Sequence, residues 1–112
     1  MSAAPARILG IDPGIGRCGW GVIEESFGKA KFLAAGVIET PPGTPLPSRL
    51  VELRCDFLEL LEEWQPARVG IDKLFFSKNI STGIAVAAAR GVLLEAAAGK
   101  GFPLVEVQPQ AV

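Results

Sequence analysis

The sequence predicts an α/β fold, a five-stranded mixed sheet with helices packed on it. Three short apolar segments separated by glycine-rich turns occupy residues 7–40 and predict an antiparallel meander. Two segments of helical character then alternate with two more short apolar segments, and connections of that length favour parallel strands. The predicted order of elements is therefore β-β-β-α-β-α-β.

The strands of the meander are predicted at residues 7–12, 20–24 and 31–40. Apolar runs bounded by turn residues are typical of strands, and residues 14–19 supply a glycine-rich bend between the first two. Residues 27–30 are predicted to form the second turn. The Pro- and Gly-rich residues 41–47 cannot continue a strand, and we expect them to connect the meander to the first helix.

The first helix is predicted to begin at Ser48, whose hydroxyl can cap it. It is predicted to stop before Pro66, because a proline ring disrupts a continuing helix. Its apolar residues recur at helical spacing, at Leu50, Leu53, Phe57, Leu60 and Trp64. Its five acidic residues are expected to form a solvated face.

A strand predicted at residues 68–72 separates this helix from a second one. Asn79 or Ser81 can cap the second helix, which is predicted to run to about Ala98. It is apolar nearly all round and rich in small residues. Such a helix is expected to be buried on more than one face, against its own sheet and, as a further option, against a partner subunit. Residues 102–107 are predicted to form the last strand.

Composition limits the chemistry available to these 112 residues, which are predicted to form one domain over residues 1–112. The chain has no histidine, which excludes Ser-His-Asp and Cys-His chemistry and His-ligated zinc. Its net charge of −1 is atypical of a self-sufficient nucleic-acid binder, so any basic surface must be local. Cys18 and Cys55 lack metal-ligand spacing and predict a reducing cytoplasm. No apolar run approaches the roughly 20 residues of a membrane span, and we expect no membrane partner.

Two carboxylates follow short apolar strands, and they are the candidate metal ligands. Asp12 ends the first strand and is followed at once by Pro13-Gly14, while Asp72 ends the strand that follows the first helix. Parallel pairing of these strands would bring both residues out at the same edge of the sheet. Paired carboxylates suit a hard divalent cation such as Mg²⁺. Spacing alone leaves open a second interpretation, in which they are two unrelated carboxylates at strand ends.

Two aromatic residues flanked by lysines come directly after Asp72, in residues 73–79. Phe75 and Phe76 could belong to the core. Beside a metal site, however, aromatics interleaved with cations suit stacking on bases and neutralising phosphates. We therefore predict that Lys73, Phe75, Lys78 and Asn79 bind DNA.

Three stretches together resemble the RuvC family, the bacterial Holliday-junction resolvases, whose fold is ribonuclease H-like. They are residues 8–14 with their continuation at 19–23, residues 71–79, and residues 89–91. The first stretch alone is moderately specific, because sugar-kinase and chaperone-type ATPases open similarly. The second stretch, at the right distance from the first, is specific, and the resemblance covers essentially the whole chain in one register.

The resemblance implies a homodimeric endonuclease that nicks two strands of a four-way DNA junction symmetrically, with Mg²⁺ or Mn²⁺. Asp12 and Asp72 match the first and second of the family's four catalytic carboxylates. Phe75 matches the aromatic residue that the family places beside the junction centre. The implied partners are junction DNA, a second copy through the helix that carries Arg90-Gly91, and a branch-migration complex of RuvA and RuvB.

The sequence departs from the family pattern at two points. The family usually has Glu where this chain has Asp72, and losing one methylene shortens the reach of the carboxylate by about 1 Å, a misplacement that can cost about 10²-fold in rate. The other two family carboxylates lie on a C-terminal helix that these residues do not include. We therefore expect a C-terminally truncated chain that binds metal weakly and cuts poorly. The alternatives are a non-catalytic junction-binding module and an actin-like phosphate-binding ATPase, although a second phosphate loop is not evident.

Overall fold

The structure, a computed structural model, describes residues 5–72 and 80–107, with the backbone alone for Asp72, residues 80–82 and Val107. Within these residues, five strands and two helices follow in the predicted order. They are β1 (Ala6–Asp12), β2 (Arg17–Ser26), β3 (Lys29–Glu39), α1 (Leu46–Trp64), β4 (Arg68–Asp72), α2 (Ile80–Gly99) and β5 (Leu104–Val107).

The five strands form one mixed sheet in the order β3-β2-β1-β4-β5. β1, β2 and β3 pair antiparallel, which confirms the predicted meander. β4 pairs parallel to β1, and β5 pairs parallel to β4. Both strand–helix–strand connections therefore join parallel neighbours, as the sequence predicted, and β1 lies in the centre of the sheet.

The hydrophobic core lies between one face of the sheet and the two helices. Along β1, Leu9 and Ile11 are buried, whereas Gly10 and Asp12 between and after them are exposed. This alternation arises because successive strand residues point to opposite faces. The core cluster joins β1 and β4 to both helices, through Leu9, Ile11, Val69, Ile71, Phe57, Leu61 and Leu93 among others. Asp12 therefore lies on the sheet face opposite the helices.

The predicted N-cap at Ser48 is wrong. α1 begins at Leu46, its N-cap residue is Pro45, and no side chain caps it. Pro47 lies in the first turn, where a helix tolerates proline because those backbone N–H groups lack an intrahelical acceptor. The other end is as predicted, since α1 stops at Trp64, and Gln65 in the left-handed conformation precedes Pro66.

The strands of the β2–β3 hairpin are longer than predicted, in part because the turn at its tip has only two residues. Phe27 and Gly28 both have positive φ, at 53° and 75°. Paired positive φ values are typical of the tight turn that matches the twist of antiparallel strands. Strand pairing reaches the turn with Ser26 against Lys29, and at the other end of the hairpin it begins with Arg17 against Glu39.

α2 is buried along one face within this chain, where Ala89, Leu93 and Ala97 join the core. The sequence predicted that α2 is buried on more than one face, but within this chain the described side chains of α2 are buried on one face. Ile84, Ala87 and Gly91 are exposed at helical spacing, and we call them the α2 stripe. Arg90, between the two sides, forms an ion pair with Glu106 of β5. Ser81 lies inside the helix and is not its cap, and Asn79 lies outside the described residues.

Candidate metal centre

The two candidate ligands end neighbouring parallel strands. β1 and β4 pair from Ile8 opposite Arg68 to Ile11 opposite Ile71, and Asp12 and Asp72 come directly after that last pair. Neighbouring strands lie about 4.8 Å apart. The backbone therefore delivers both residues to one edge of the sheet. The side chain of Asp72 lies outside the described atoms, so convergence of the two carboxylates on one cation remains a prediction from this register.

Asp12 borders an open cleft of about 360 Å³ on the face of the sheet opposite the helices. Its floor is a row of glycines across three strands, since Gly10 is paired with Gly70 on one side and with Gly21 on the other. A Cβ atom added at Gly10 would meet nothing within 4 Å. The cleft is lined by Gly10, Ile11, Asp12, Gly19, Trp20, Gly21 and Gly70. The Asp12 carboxylate is exposed beside a space that water or a phosphate group can enter.

The loop that follows Asp12 is held by two residues that sequence reasoning missed. Thr40, 4% exposed, follows β3, and Arg49 lies in the first turns of α1. The Gly16 amide donates to Thr40 Oγ1 at 3.1 Å, and the Thr40 amide donates to the Gly16 carbonyl oxygen at 3.0 Å. Arg49 donates to the same hydroxyl at 3.1 Å and to the Thr40 carbonyl oxygen at 3.2 Å. A threonine at a strand end and an arginine in a helix carry no local signal of this contact.

Cys18 lies close to Asp12 but is not a reactive thiol at neutral pH. Its side chain is 1% exposed and belongs to the core. Burial raises the pKa of the Cys18 thiol to about 11, a hydrogen bond from the Gly14 backbone works in the opposite direction, and the negative charge of Asp12 raises the pKa further. The reactive form of a cysteine is the thiolate, so this thiol is a structural group.

The donor set at this edge fits a magnesium ion. Mg²⁺ prefers oxygen ligands and is commonly held by one or two carboxylates while it keeps several waters. Asp12 and Asp72 would hold it, and the open cleft leaves space for the waters. Among the described side chains there is no group of three or more His, Cys, Asp and Glu residues that could hold a metal ion.

The predicted DNA-binding residues lie beside this edge in the sequence but outside the described residues. Lys73, Phe75, Lys78 and Asn79 fall between the end of β4 and the start of α2. Their assignment to DNA therefore remains a prediction.

Comparison with known proteins identifies the family. The family model described as "Crossover junction endodeoxyribonuclease RuvC" matches residues 8–112. The chain belongs to the RuvC family. It is 42% identical over 106 residues to a RuvC of Chloroflexus aggregans and 45% identical over 106 residues to one of Thermotoga petrophila, and each match covers 95% of the chain.

Solved structures of RuvC proteins confirm the ribonuclease H-like fold. The chain resembles Thermus thermophilus RuvC, solved in complex with a Holliday junction substrate, with a TM-score of 0.82 and 31% identity over 94% of the chain. The match covers 66% of that RuvC protein. The chain likewise spans 65% of the Chloroflexus RuvC and 64% of the Thermotoga RuvC. In the part of the chain that the structure describes, neither helix has the length and apolar character needed to cross a membrane.

Proposed function

We propose that this chain forms the nuclease core of a metal-dependent endonuclease that resolves four-way DNA junctions in recombination and repair. One observation carries the proposal. In a member of the RuvC family, Asp12 and Asp72 end two neighbouring parallel strands, and Asp12 borders an open cleft. Metal-dependent hydrolysis of a phosphodiester uses hard oxygen ligands to hold the cation, and in a chain without histidine the carboxylates are the groups that can provide them.

Asp12 and Asp72 would hold Mg²⁺ or Mn²⁺ and orient it towards the scissile phosphate. When bound, the metal supplies an activated water and stabilises the leaving 3′-oxygen. The glycine floor adds no side chains to the cleft beside Asp12, which leaves space there for the DNA backbone. Lys73, Lys78 and Asn79 would contact phosphates next to the cut, and Phe75 would stack on an unpaired base at the junction centre.

A junction has two strands to cut, and we propose that two copies of the chain cut one each. The α2 stripe supports this, because Ile84 is 62% exposed and Ala87 and Gly91 beside it are small enough for a second helix to approach closely. A two-fold axis through such an interface would relate the two metal sites. A branch-migration complex of RuvA and RuvB is the proposed further partner, and the cytoplasm, where such DNA is found, is the proposed location.

Binding of a synthetic four-way junction tests the proposal. The chain is titrated against the junction and against a linear duplex of the same sequence, by gel shift in Ca²⁺. We expect a clear preference for the junction, and slow nicking of it once Mg²⁺ or Mn²⁺ replaces Ca²⁺. Asp12→Asn should retain the junction preference and lose the nicking, because it keeps the shape of the side chain and removes the charge that holds the cation.

The outcomes separate the proposal from its alternative. Equal affinity for junction and duplex, or nicking that survives Asp12→Asn, contradicts the proposed function. Junction preference without nicking under any divalent cation favours the non-catalytic junction-binding module.

A further inference from the structure

Four hydrogen bonds tie three elements together next to the metal site. Thr40, at the end of β3, exchanges two bonds with Gly16 in the loop between β1 and β2, and receives two more from Arg49 of α1. Thr40 is 4% exposed, so these bonds are formed largely away from water. Hydrogen bonds to a charged donor are about twice as strong as neutral ones. We call Thr40 and Arg49 the loop clamp.

The loop clamp acts on a segment that has little freedom of its own. Residues 13–16 connect Asp12 at the end of β1 to Arg17 at the start of β2. Gly16 has φ of 88°, and a Cβ atom placed on it would lie 3.0 Å from Arg49 Nη2. The guanidinium group therefore packs directly on the Gly16 backbone. At the other end of the loop, a Cβ atom on Gly14 would lie 2.2 Å from the Arg17 carbonyl oxygen, so the bend leaves no room for a side chain at that position.

We propose that Arg49 and Thr40 are positioning residues, which hold the loop after Asp12 and thereby keep the Asp12 carboxylate in its metal-binding geometry. The inference rests on the proposed metal site. Asp12 is the last residue of β1, and its carbonyl group is bonded directly to the first residue of the loop. Movement of the loop therefore rotates the backbone of Asp12. Groups that orient a metal ligand commonly change metal affinity by about 10–100-fold when they are removed.

Arginine suits this role better than lysine. Its planar group presents several N–H donors in a fixed arrangement, and here Nε and Nη2 reach the hydroxyl and the carbonyl oxygen of one residue. Lysine would offer a single, flexible nitrogen. The threonine hydroxyl accepts from both Gly16 and Arg49, so loss of the hydroxyl removes two of the four bonds and leaves the two that the Thr40 backbone forms.

The test measures Mn²⁺ affinity by the electron paramagnetic resonance signal of the free ion, in the unmodified chain and in variants of it. Thr40→Val keeps the shape of the side chain and removes the hydroxyl, and Arg49→Gln removes the charge and the forked donor. We expect each to weaken Mn²⁺ binding about 10–100-fold. Thr40→Ser, which retains the hydroxyl, should restore affinity to within about threefold of the parent.

Arg54→Gln is the matched control. Arg54 is also an arginine of α1, but its partner is Glu95 of α2 at 3.2 Å, away from the loop. Arg54→Gln removes the same charge as Arg49→Gln. We expect it to change Mn²⁺ affinity less than about twofold, because an exposed ion pair contributes little to the stability of the fold. A second readout is the amide exchange rate of Gly16, which should rise in Thr40→Val and remain unchanged in Arg54→Gln.

Asp12→Asn separates failure of this inference from failure of the proposed function. If Asp12→Asn removes Mn²⁺ binding while Thr40→Val and Arg49→Gln bind as the parent does, the metal site is correct and the positioning role is refuted. If Asp12→Asn binds Mn²⁺ unchanged, the metal site is wrong and the inference is overturned with it. If Arg54→Gln weakens binding as much as Arg49→Gln, the effect is not specific to the loop contact, because loss of a positive charge alone would not weaken the binding of a cation, and the positioning role is refuted.

Discussion

Replacing Gly14 by alanine should destabilise the chain through one steric contact. The added Cβ atom would lie 2.2 Å from the Arg17 carbonyl oxygen, a backbone atom that cannot rotate away. Ordinary carbon–oxygen contacts are longer by about 1 Å, so the bend must open by that distance. Overpacking of this kind costs about 1–3 kcal/mol. For a domain of this size, about 1 kcal/mol corresponds to about 4 °C in Tm, so Gly14→Ala should lower Tm by about 4–12 °C.

Gly10→Ala is the matched control for this prediction. Gly10 lies within β1 and, like Asp12, lines the cleft. A Cβ atom on Gly10 would meet nothing within 4 Å. Because alanine loses less backbone entropy than glycine on folding, the variant should be more stable by about 0.5–1 kcal/mol. Both substitutions add one methyl group within two residues of Asp12 and differ in the space around it.

Thermal unfolding followed by circular dichroism, with both variants and the parent in the same buffer, measures the difference. A Gly14→Ala variant that melts within about 1 °C of the parent would show that the bend relaxes freely, against the steric reasoning. A Gly10→Ala variant that is as destabilised as Gly14→Ala would show that a glycine is required at position 10 for a reason other than space.

Two further predictions concern Cys18 and Asp72. Folding raises the pKa of Cys18 from 9.0 to about 11, so the stability that the neutral thiol contributes is complete below pH 9 and is lost as pH rises towards 11. The free energy of unfolding, measured with urea at pH 8 and pH 10.5, should fall between these pH values in the parent and in Cys55→Ala, whose cysteine is exposed. In Cys18→Ala the fall should be smaller. An equal fall in all three proteins would contradict the assignment to Cys18. Asp72→Glu should accelerate Mg²⁺-dependent junction nicking by up to about 10²-fold, because the added methylene extends the carboxylate by about 1 Å. Single-turnover nicking measures it, and a rate equal to that of the parent would show that the shorter side chain already reaches the metal.

Much of the fold follows from local patterns in the sequence. The order of all seven elements was predictable, because apolar residues recur at strand and helix spacing and because Gly and Pro mark the connections. The parallel pairing of β4 with β1 was predictable as well, from the length of the helical connection between them. The element order and this parallel pairing were sufficient to predict that Asp12 and Asp72 lie at the ends of neighbouring strands.

Local patterns were insufficient where several weak signals compete. Ser48 has the chemistry of an N-cap, yet α1 begins two residues earlier, at Leu46, since proline is compatible with a first helical turn. The turn between β2 and β3 was predicted at residues 27–30, but it contains only Phe27 and Gly28, and Phe27 is an unusual residue for positive φ. Pairing of the flanking strands over ten residue pairs outweighs that local preference.

The surroundings of Asp12 were decided by the tertiary structure. The glycine floor exists because strand register aligns Gly70, Gly10 and Gly21, which are far apart in the chain. The loop clamp exists because α1 crosses the end of β3 where the β1–β2 loop returns, which brings Arg49 and Gly16 to the same threonine. Sequence alone designated the candidate residues for the chemistry, since residue type and local period are properties of the chain. Which groups surround and hold them depends on contacts between distant elements, and these form only when the chain is packed.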